Sequence, residues 1–594
     1  IISIAISVMV VMHGLDFLFP TREFRYRSEI PPSLSAKSGL TAREVESARG
    51  TMMLRQAFLA WLQVRRPAID AYKKKGKTYP VMVMAAQGGG IYAAYHSALS
   101  LARLYDSCPE IVDHMFVLSG VSGGALGSAV FAELVRSVPE ALRTKPGEAP
   151  QDCSPRHGAP KLEEKVKAFF TADFLTPVVD SALLFDIPSL LLPWLRFGMD
   201  RAYALEYAFE DAWAKMAKEK RARKAKRQRP PYGLEADFYG RWKPDGPAPA
   251  LFLGTTGVNS GAPVLVSQVK WGQGQSLSVR RVPVAAGREE ELEELLRRAN
   301  AQSERTGSSV IANILDFRPD LQMAMSTAVA LSARFPYVTP PANIKRSRKI
   351  ERPSGFYNGI DVLELLDGAY FDNSGGSVAI DLLDDLERYL RPRRWDGTDY
   401  DAFKEFAADI RFHLIRFTDR PAQRKAAAST DEHFELLTPL VAFNSVRSAR
   451  GAQLRGVRDL DLTRETFFYL SDPWFTPTLS WLLSQDTKAK IDLRSRGEAK
   501  AEQEVCCLMK RPPRETTPGD AARKRQRRDI VLVTSWEEAQ KLNALLMQQR
   551  TSTPTRPAWE VVKFVPNNAD AFERVLSLIK DGDDEPDAKG AAGK

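Results

Sequence analysis

Cysteine is scarce in this chain, with only Cys108, Cys153, Cys506 and Cys507 among 594 residues. The last two adjoin, and a trans peptide holds their Cα atoms closer than an unstrained disulfide prefers. No C-x-x-C pair or Cys/His cluster occurs, which excludes the usual structural zinc patterns. So few thiols read as a chain from a reducing compartment. Calcium is not expected, because no EF-hand loop is present. A dinucleotide fingerprint is missing too. The Walker A pattern fails because Gly76-Lys77-Thr78 precedes its strand and Ala71 stands where the first glycine belongs. The expectation is therefore a protein with no metal and no cofactor. Internal repeats are absent as well.

Net charge is +10, with much of the excess in the runs 218–229 and 523–528. These runs lack interleaved aromatics, and no recognition-helix or zinc pattern accompanies them, so nucleic acid is not an expected partner. They read as solvated insertions, with attraction to an acidic membrane surface as the alternative.

With 44% hydrophobic residues, a chain of this length can build one large core or several. Residues 1–12 are almost wholly apolar, and Arg22, Arg25 and Arg27 follow soon after. This start reads as the end of a transmembrane segment at 1–20. The positive-inside rule then puts a membrane-anchored catalytic domain in the cytoplasm. Residues 21–78 form a linker and leading helix. From 79 onward the pattern is strand (79–86), glycine turn, helix (91–105), strand (115–118), tight turn, helix (125–135). That alternation predicts a parallel α/β sheet. Further strands are expected at 250–255, 363–366 and 410–417, and helices at 289–299, 322–333 and 378–390. Residues 137–248 read as an insertion whose apolar part, 169–197, is broken by Pro177, Pro188 and Pro193 and suits a helical cap or an interfacial segment. The core spans 79–420, followed by a helical extension at 421–510. Residues 511–594 comprise a basic linker, a small αβ tail near 530–579 and a polar end.

Gly120-Val121-Ser122-Gly123-Gly124 fits G-x-S-x-G between a strand and a helix, the setting of a nucleophile elbow. Its flanking glycines Gly120, Gly123 and Gly124 allow a sharp turn. The helix dipole behind Ser122 favours developing negative charge. Gly88-Gly89-Gly90 also joins a strand to a helix, and its bare amides suit an oxyanion. Asp367-Gly368 ends a strand, where a carboxylate can face the same sheet edge as Ser122. Read alone, that pair is equally an Asp-Gly turn.

In this order, Gly88-Gly89-Gly90, Gly120–Gly124 and Asp367-Gly368-Ala369 resemble the motifs of the patatin-like phospholipases. Residues 326–341, a small-residue helix leading into Phe335-Pro336, and the run from Asp367 to Asn373 are similar to the family as well. The resemblance covers roughly 79–420. It implies a three-layer α/β/α core with a mainly parallel central sheet, a helical cap insertion and a small C-terminal αβ extension. It also implies a Ser122–Asp367 dyad without histidine, an oxyanion hole at Gly88, Gly89 and Gly90, and a phospholipid, lysophospholipid or other lipid ester as substrate at a membrane surface. Gln87, Tyr92 and Ala93 depart from the family's usual acidic, basic and glycine residues. Those departures keep open a catalytically silent scaffold. Ser122, Asp367 and His413 also follow the chain order of a histidine-triad esterase, although His413 falls inside a strand and His96 inside a helix. Asp372 competes with Asp367 as the base. Oligomeric state has no signature in the sequence.

Overall fold

The computed structural model describes residues 25–34, 39–147, 153, 158–188, 200–218, 233–271, 311–335, 339–351, 357, 359–390, 400–419, 464–470, 482–495, 529–533, 559–564 and 568–584. Eleven strands concern the site and its frame: β1 (Tyr26–Ser28), β2 (Lys77–Ala86), β3 (Met115–Val121), β4 (Ala250–Gly257), β5 (Pro263–Ser267), β6 (Ala312–Asn313), β7 (Leu321–Met323), β8 (Ala342–Lys345), β9 (Val362–Asp367), β10 (Ile410–Thr418) and β11 (Glu465–Tyr469). The helices that matter are α1 (Leu54–Val64), α2 (Arg66–Lys74), α3 (Ile91–Ser107), α4 (Gly123–Ser137), α5 (Arg201–Ala217), α6 (Met325–Ser332), α7 (Gly376–Leu390) and α8 (Asn568–Asp581).

The main sheet runs β11-β10-β2-β3-β4-β5-β6. From β11 to β4 all neighbours are parallel, and β5 then turns antiparallel against β4. This is a mixed α/β fold with a mainly parallel central sheet. Residues of β2 alternate between its faces. Met82 and Met84 join a core with α3 and α4, while Tyr79, Val81, Val83 and Ala85 join another with α1, α2 and α7. Helices thus cover both faces, which is why the strand sequences read as nearly unbroken apolar runs.

One strand enters against the grain. β3 pairs with β4 only as far as Val121 opposite Gly254. From the next residue, the same edge of β4 is taken by antiparallel β9, with Asp367 opposite Thr255. Two strands therefore approach end to end along one edge. Gly368 lets the chain leave there, since a β-carbon on it would sit 2.2 Å from the Gly254 carbonyl oxygen.

The helix expected at 322–333 is divided. Leu321–Met323 is instead the strand β7, because it pairs antiparallel with β1, and the helix proper is α6. In the apolar insertion, Phe169, Phe170 and Phe174 are buried, whereas Val179, Leu183, Leu184 and Ile187 are exposed on short helical turns. The expected helix at 289–299 and both basic runs, apart from Lys218, lie outside the described residues. Within 421–510, the described residues hold the helix Gln485–Arg494 and also β11. Near the C-terminus, Asp529–Val533 and Trp559–Phe564 pair in parallel as a separate two-stranded sheet. α8 packs on β11, and Asp583 pairs with Thr78 of β2.

Two readings need correction. The chain was expected to be membrane-anchored by a transmembrane segment. Among the described residues no helix is long and apolar enough to cross a membrane. The longest, α3 and α5, have 17 residues each, against the roughly 20 apolar residues a span needs. The segment 1–20 itself lies outside the described residues. The second correction concerns thiols: Cys108 and Cys153 form a disulfide, with Cα atoms 4.5 Å apart, contrary to the reading of a reducing compartment.

Candidate active site

Ser122 sits between the last residue of β3 and the first of α4, with φ 54° and ψ −122°. Among the described residues, Ser122 and Lys218 alone have positive φ without being glycine. Such a conformation costs a non-glycine residue about 1–3 kcal/mol, so the surroundings must enforce it. They do so from both sides. The Ser122 N–H donates to Ser332 Oγ at 3.0 Å, and Ser332 Oγ in turn donates to the Gly254 carbonyl at 2.6 Å. Gly123 packs so closely on the glycine loop that a β-carbon there would lie 1.8 Å from the Gly90 carbonyl oxygen.

The Ser122 hydroxyl donates to Asp367 Oδ2 at 2.8 Å. The other carboxylate oxygen, Oδ1, accepts the Ala369 N–H at 2.8 Å. Asp367 is fully buried, and its main chain is pinned by two bonds: its N–H donates to the Arg334 carbonyl, and its carbonyl accepts from Thr256 Oγ1. One carboxylate oxygen thus faces the serine while the other fixes the rotamer. A serine hydroxyl at hydrogen-bond distance from an oriented carboxylate can pass its proton directly to it.

The rivals fall elsewhere. Asp372 accepts from Ser374 N, Ser374 Oγ, Ser377 N and Ser377 Oγ, all at 2.7–3.0 Å, and so caps the entry to α7. Register places His413 beside Met82, which is beside Met115 at the start of β3, whereas Ser122 follows the end of that strand. At about 3.3 Å per residue the separation is roughly 20 Å. His413 Nε2 lies instead 3.2 Å from Asp583 Oδ2. His96 is buried on α3 with Nε2 3.4 Å from the Phe468 carbonyl, and burial holds it down at about 4.

The glycine loop is buried beside the serine. Its first amide, Gly88 N–H, donates to the Asn373 carbonyl at 2.8 Å and is thus committed to the fold. Gly89 and Gly90 follow, with φ +156° and +67°. The three departures from the family pattern have local roles. Gln87 Oε1 accepts from Thr418 Oγ1 and from the Asp419 N–H, tying the loop to the end of β10. The Tyr92 ring folds back onto Gly89, where a β-carbon would meet its hydroxyl at 2.5 Å. Ala93 is buried in α3.

Behind the serine, α6 is fastened to α5. Thr327 Oγ1 donates to Glu206 Oε2 at 2.7 Å and Ser326 Oγ to Glu210 Oε1 at 2.6 Å. Arg25 binds both carboxylates, and Arg334 approaches Glu206 at 3.7 Å. Complete burial nevertheless raises Glu206 to about 7; the nearby Glu210 charge adds to this, while Arg25, Arg334 and Thr327 pull the other way. Neither Ser332 nor this carboxylate cluster carries a local sequence signal, because every partner is remote along the chain.

No protein-family model matches the chain, and no curated protein matches it. Among solved structures, VipD from Legionella pneumophila is similar over 73% of this chain and 67% of its own, with 10% identity and a TM-score of 0.24. A likeness that low assigns no activity.

Proposed function

We propose that the chain is a serine ester hydrolase of the patatin-like kind, acting on lipid acyl esters through Ser122 and Asp367. The observation that carries this reading is the 2.8 Å bond from the Ser122 hydroxyl to Asp367, at an elbow whose backbone is held at positive φ. Asp367 takes the hydroxyl proton as Oγ bonds to the acyl carbon, and the carbonyl electron pair moves to oxygen. Collapse of that intermediate expels the alcohol, which leaves with the proton from Asp367. Water then attacks the acyl-enzyme, gives its proton to Asp367, and the fatty acid departs as Ser122 recovers its hydrogen. Amides of Gly89, Gly90 and Gly123 would stabilise the oxyanion, aided by the N-terminus of α4. A lipid acyl chain as substrate is favoured by the exposed Val179, Leu183, Leu184 and Ile187 in the insertion.

A fluorophosphonate probe tests the class. Labelling located at Ser122 by peptide mass spectrometry, together with fatty-acid release from phospholipid or lysophospholipid, is the expected result. Repeated absence of both would leave the silent scaffold as the better reading.

A further inference from the structure

The loop that follows Asp367 returns to the serine at Asn373. Its neighbours are held firmly: Asp372 is fixed by four donors, and the Gly375 carbonyl accepts from Ser119 Oγ of β3 at 3.1 Å. The Asn373 backbone carbonyl binds Gly88 N–H, which seats the residue on the glycine loop. Its side chain lies on the same glycine. A β-carbon on Gly88 would stand 2.5 Å from Asn373 Oδ1 and 3.1 Å from Ser122 Cβ, so the carboxamide and the serine flank one point. Asn373 Oδ1 is buried and has no hydrogen-bond partner among the described residues. An orphaned buried acceptor costs about 1–3 kcal/mol, a cost that turning the carboxamide end for end removes from this spot.

A carboxamide is nearly symmetric in shape, and half a turn about χ2 exchanges Oδ1 for the Nδ2 donor in the same place. Next to Ser122, the group needing a donor is the ester oxygen that gains an electron pair when Oγ attacks. Gly88 N–H is spent on the Asn373 main chain, so the first donor of the loop is missing at that spot. We propose that the Asn373 carboxamide replaces it, donating a hydrogen bond from Nδ2 to the oxyanion during acylation and deacylation. The inference rests on the hydrolase reading of Ser122 and Asp367. The donor's partner acquires full charge only in the transition state, so its effect falls on turnover and not on ground-state binding.

Two variants test it. Asn373→Asp keeps the shape, Oδ1 and the main-chain acceptor for Gly88, and removes the N–H. Asn373→Ala removes the donor without adding a charge. Each is measured below its melting midpoint for kcat and KM on one soluble ester, and for affinity towards a trifluoromethyl ketone, which forms an oxyanion adduct with the serine. Loss of one such donor lowers kcat by about 100-fold. That loss is expected in both variants, with KM changed by less than about threefold and ketone affinity falling in parallel. A merely structural asparagine predicts lower melting temperatures with no selective loss of ketone affinity. Either variant turning over within about threefold of the unaltered chain overturns the assignment and leaves the dyad intact. Absence of hydrolysis by the unaltered chain overturns the hydrolase reading, and this inference with it.

Discussion

Val121 and Asp367 occupy successive positions on one edge of β4, the first opposite Gly254 and the second opposite Thr255. That relation brings Ser122 and the carboxylate together across 245 residues of chain. It also fixes their distance by sheet register, which leaves little freedom for a third group between them.

A two-residue relay predicts a specific pattern of loss. Ser122→Ala and Asp367→Asn should each reduce ester turnover by at least about 10⁴-fold, as expected when the nucleophile or its base is removed. His413→Ala should hydrolyse at the unaltered rate, because the ring lies at the other end of the sheet. A dead His413→Ala variant with a native melting curve would restore the triad.

Ser332 is a positioning residue, since it touches Ser122 only through the main chain. Ser332→Ala leaves the buried Gly254 carbonyl without its donor and the Ser122 N–H without its acceptor. The cost is about 1–3 kcal/mol in stability, and a loosened elbow should lower kcat about tenfold, equivalent to about 1.4 kcal/mol of barrier. Ser332→Thr keeps the hydroxyl and should recover most of the rate. Steady-state kinetics on the three proteins decides whether the hydroxyl matters.

Gly123→Ala should be among the more damaging single-atom additions. Its new carbon would overlap the Gly90 carbonyl oxygen, so the elbow and the glycine loop must move apart. Overpacking of this kind costs about 1–3 kcal/mol or more. Denaturant unfolding should show the loss of stability, and fluorophosphonate labelling should slow in the fraction that remains folded.

The Glu206 carboxyl predicts how stability depends on pH. Its folded value of about 7 lies above the ordinary carboxylate value of 4.5, so the folded state holds the proton more tightly. The associated stability is complete below about pH 4.5 and is lost as pH rises through 7. Glu206→Gln cannot ionise and should flatten the unfolding free energy between pH 5 and 7.5. An unchanged slope in urea titrations of that variant would show that Arg25 and Arg334 already keep the group charged.

Much of this frame was readable in the residues themselves. The strand at 79–86, the elbow and the strand at 410–417 are local patterns: apolar runs of strand length, and glycines at a turn. Val121 extends β3 beyond the expected 118 because pairing with Gly254 continues the ladder, and that depends on a residue 133 positions away. The antiparallel entry of β9 was not legible for the same reason, as a short apolar segment such as 362–367 carries no sign of its direction in the sheet. Leu321–Met323 has a helical pattern, and only pairing with β1 makes it a strand. Gly88 was expected to serve the oxyanion. Its commitment to Asn373 follows from the path of a loop nearly 300 residues later, which no spacing rule announces.

The attachment of the C-terminal segment has a consequence for how the protein is made. Asp583 pairs with Thr78 at the start of β2, and the buried Tyr72 hydroxyl bonds to the Ile579 carbonyl of α8. A nascent chain therefore leaves this end of the sheet uncovered until Asp583, 505 residues beyond Thr78, has left the ribosome. Apolar surface exposed for that interval is a site for chaperone capture or aggregation. Any carboxy-terminal truncation that removes α8 would make this temporary state permanent.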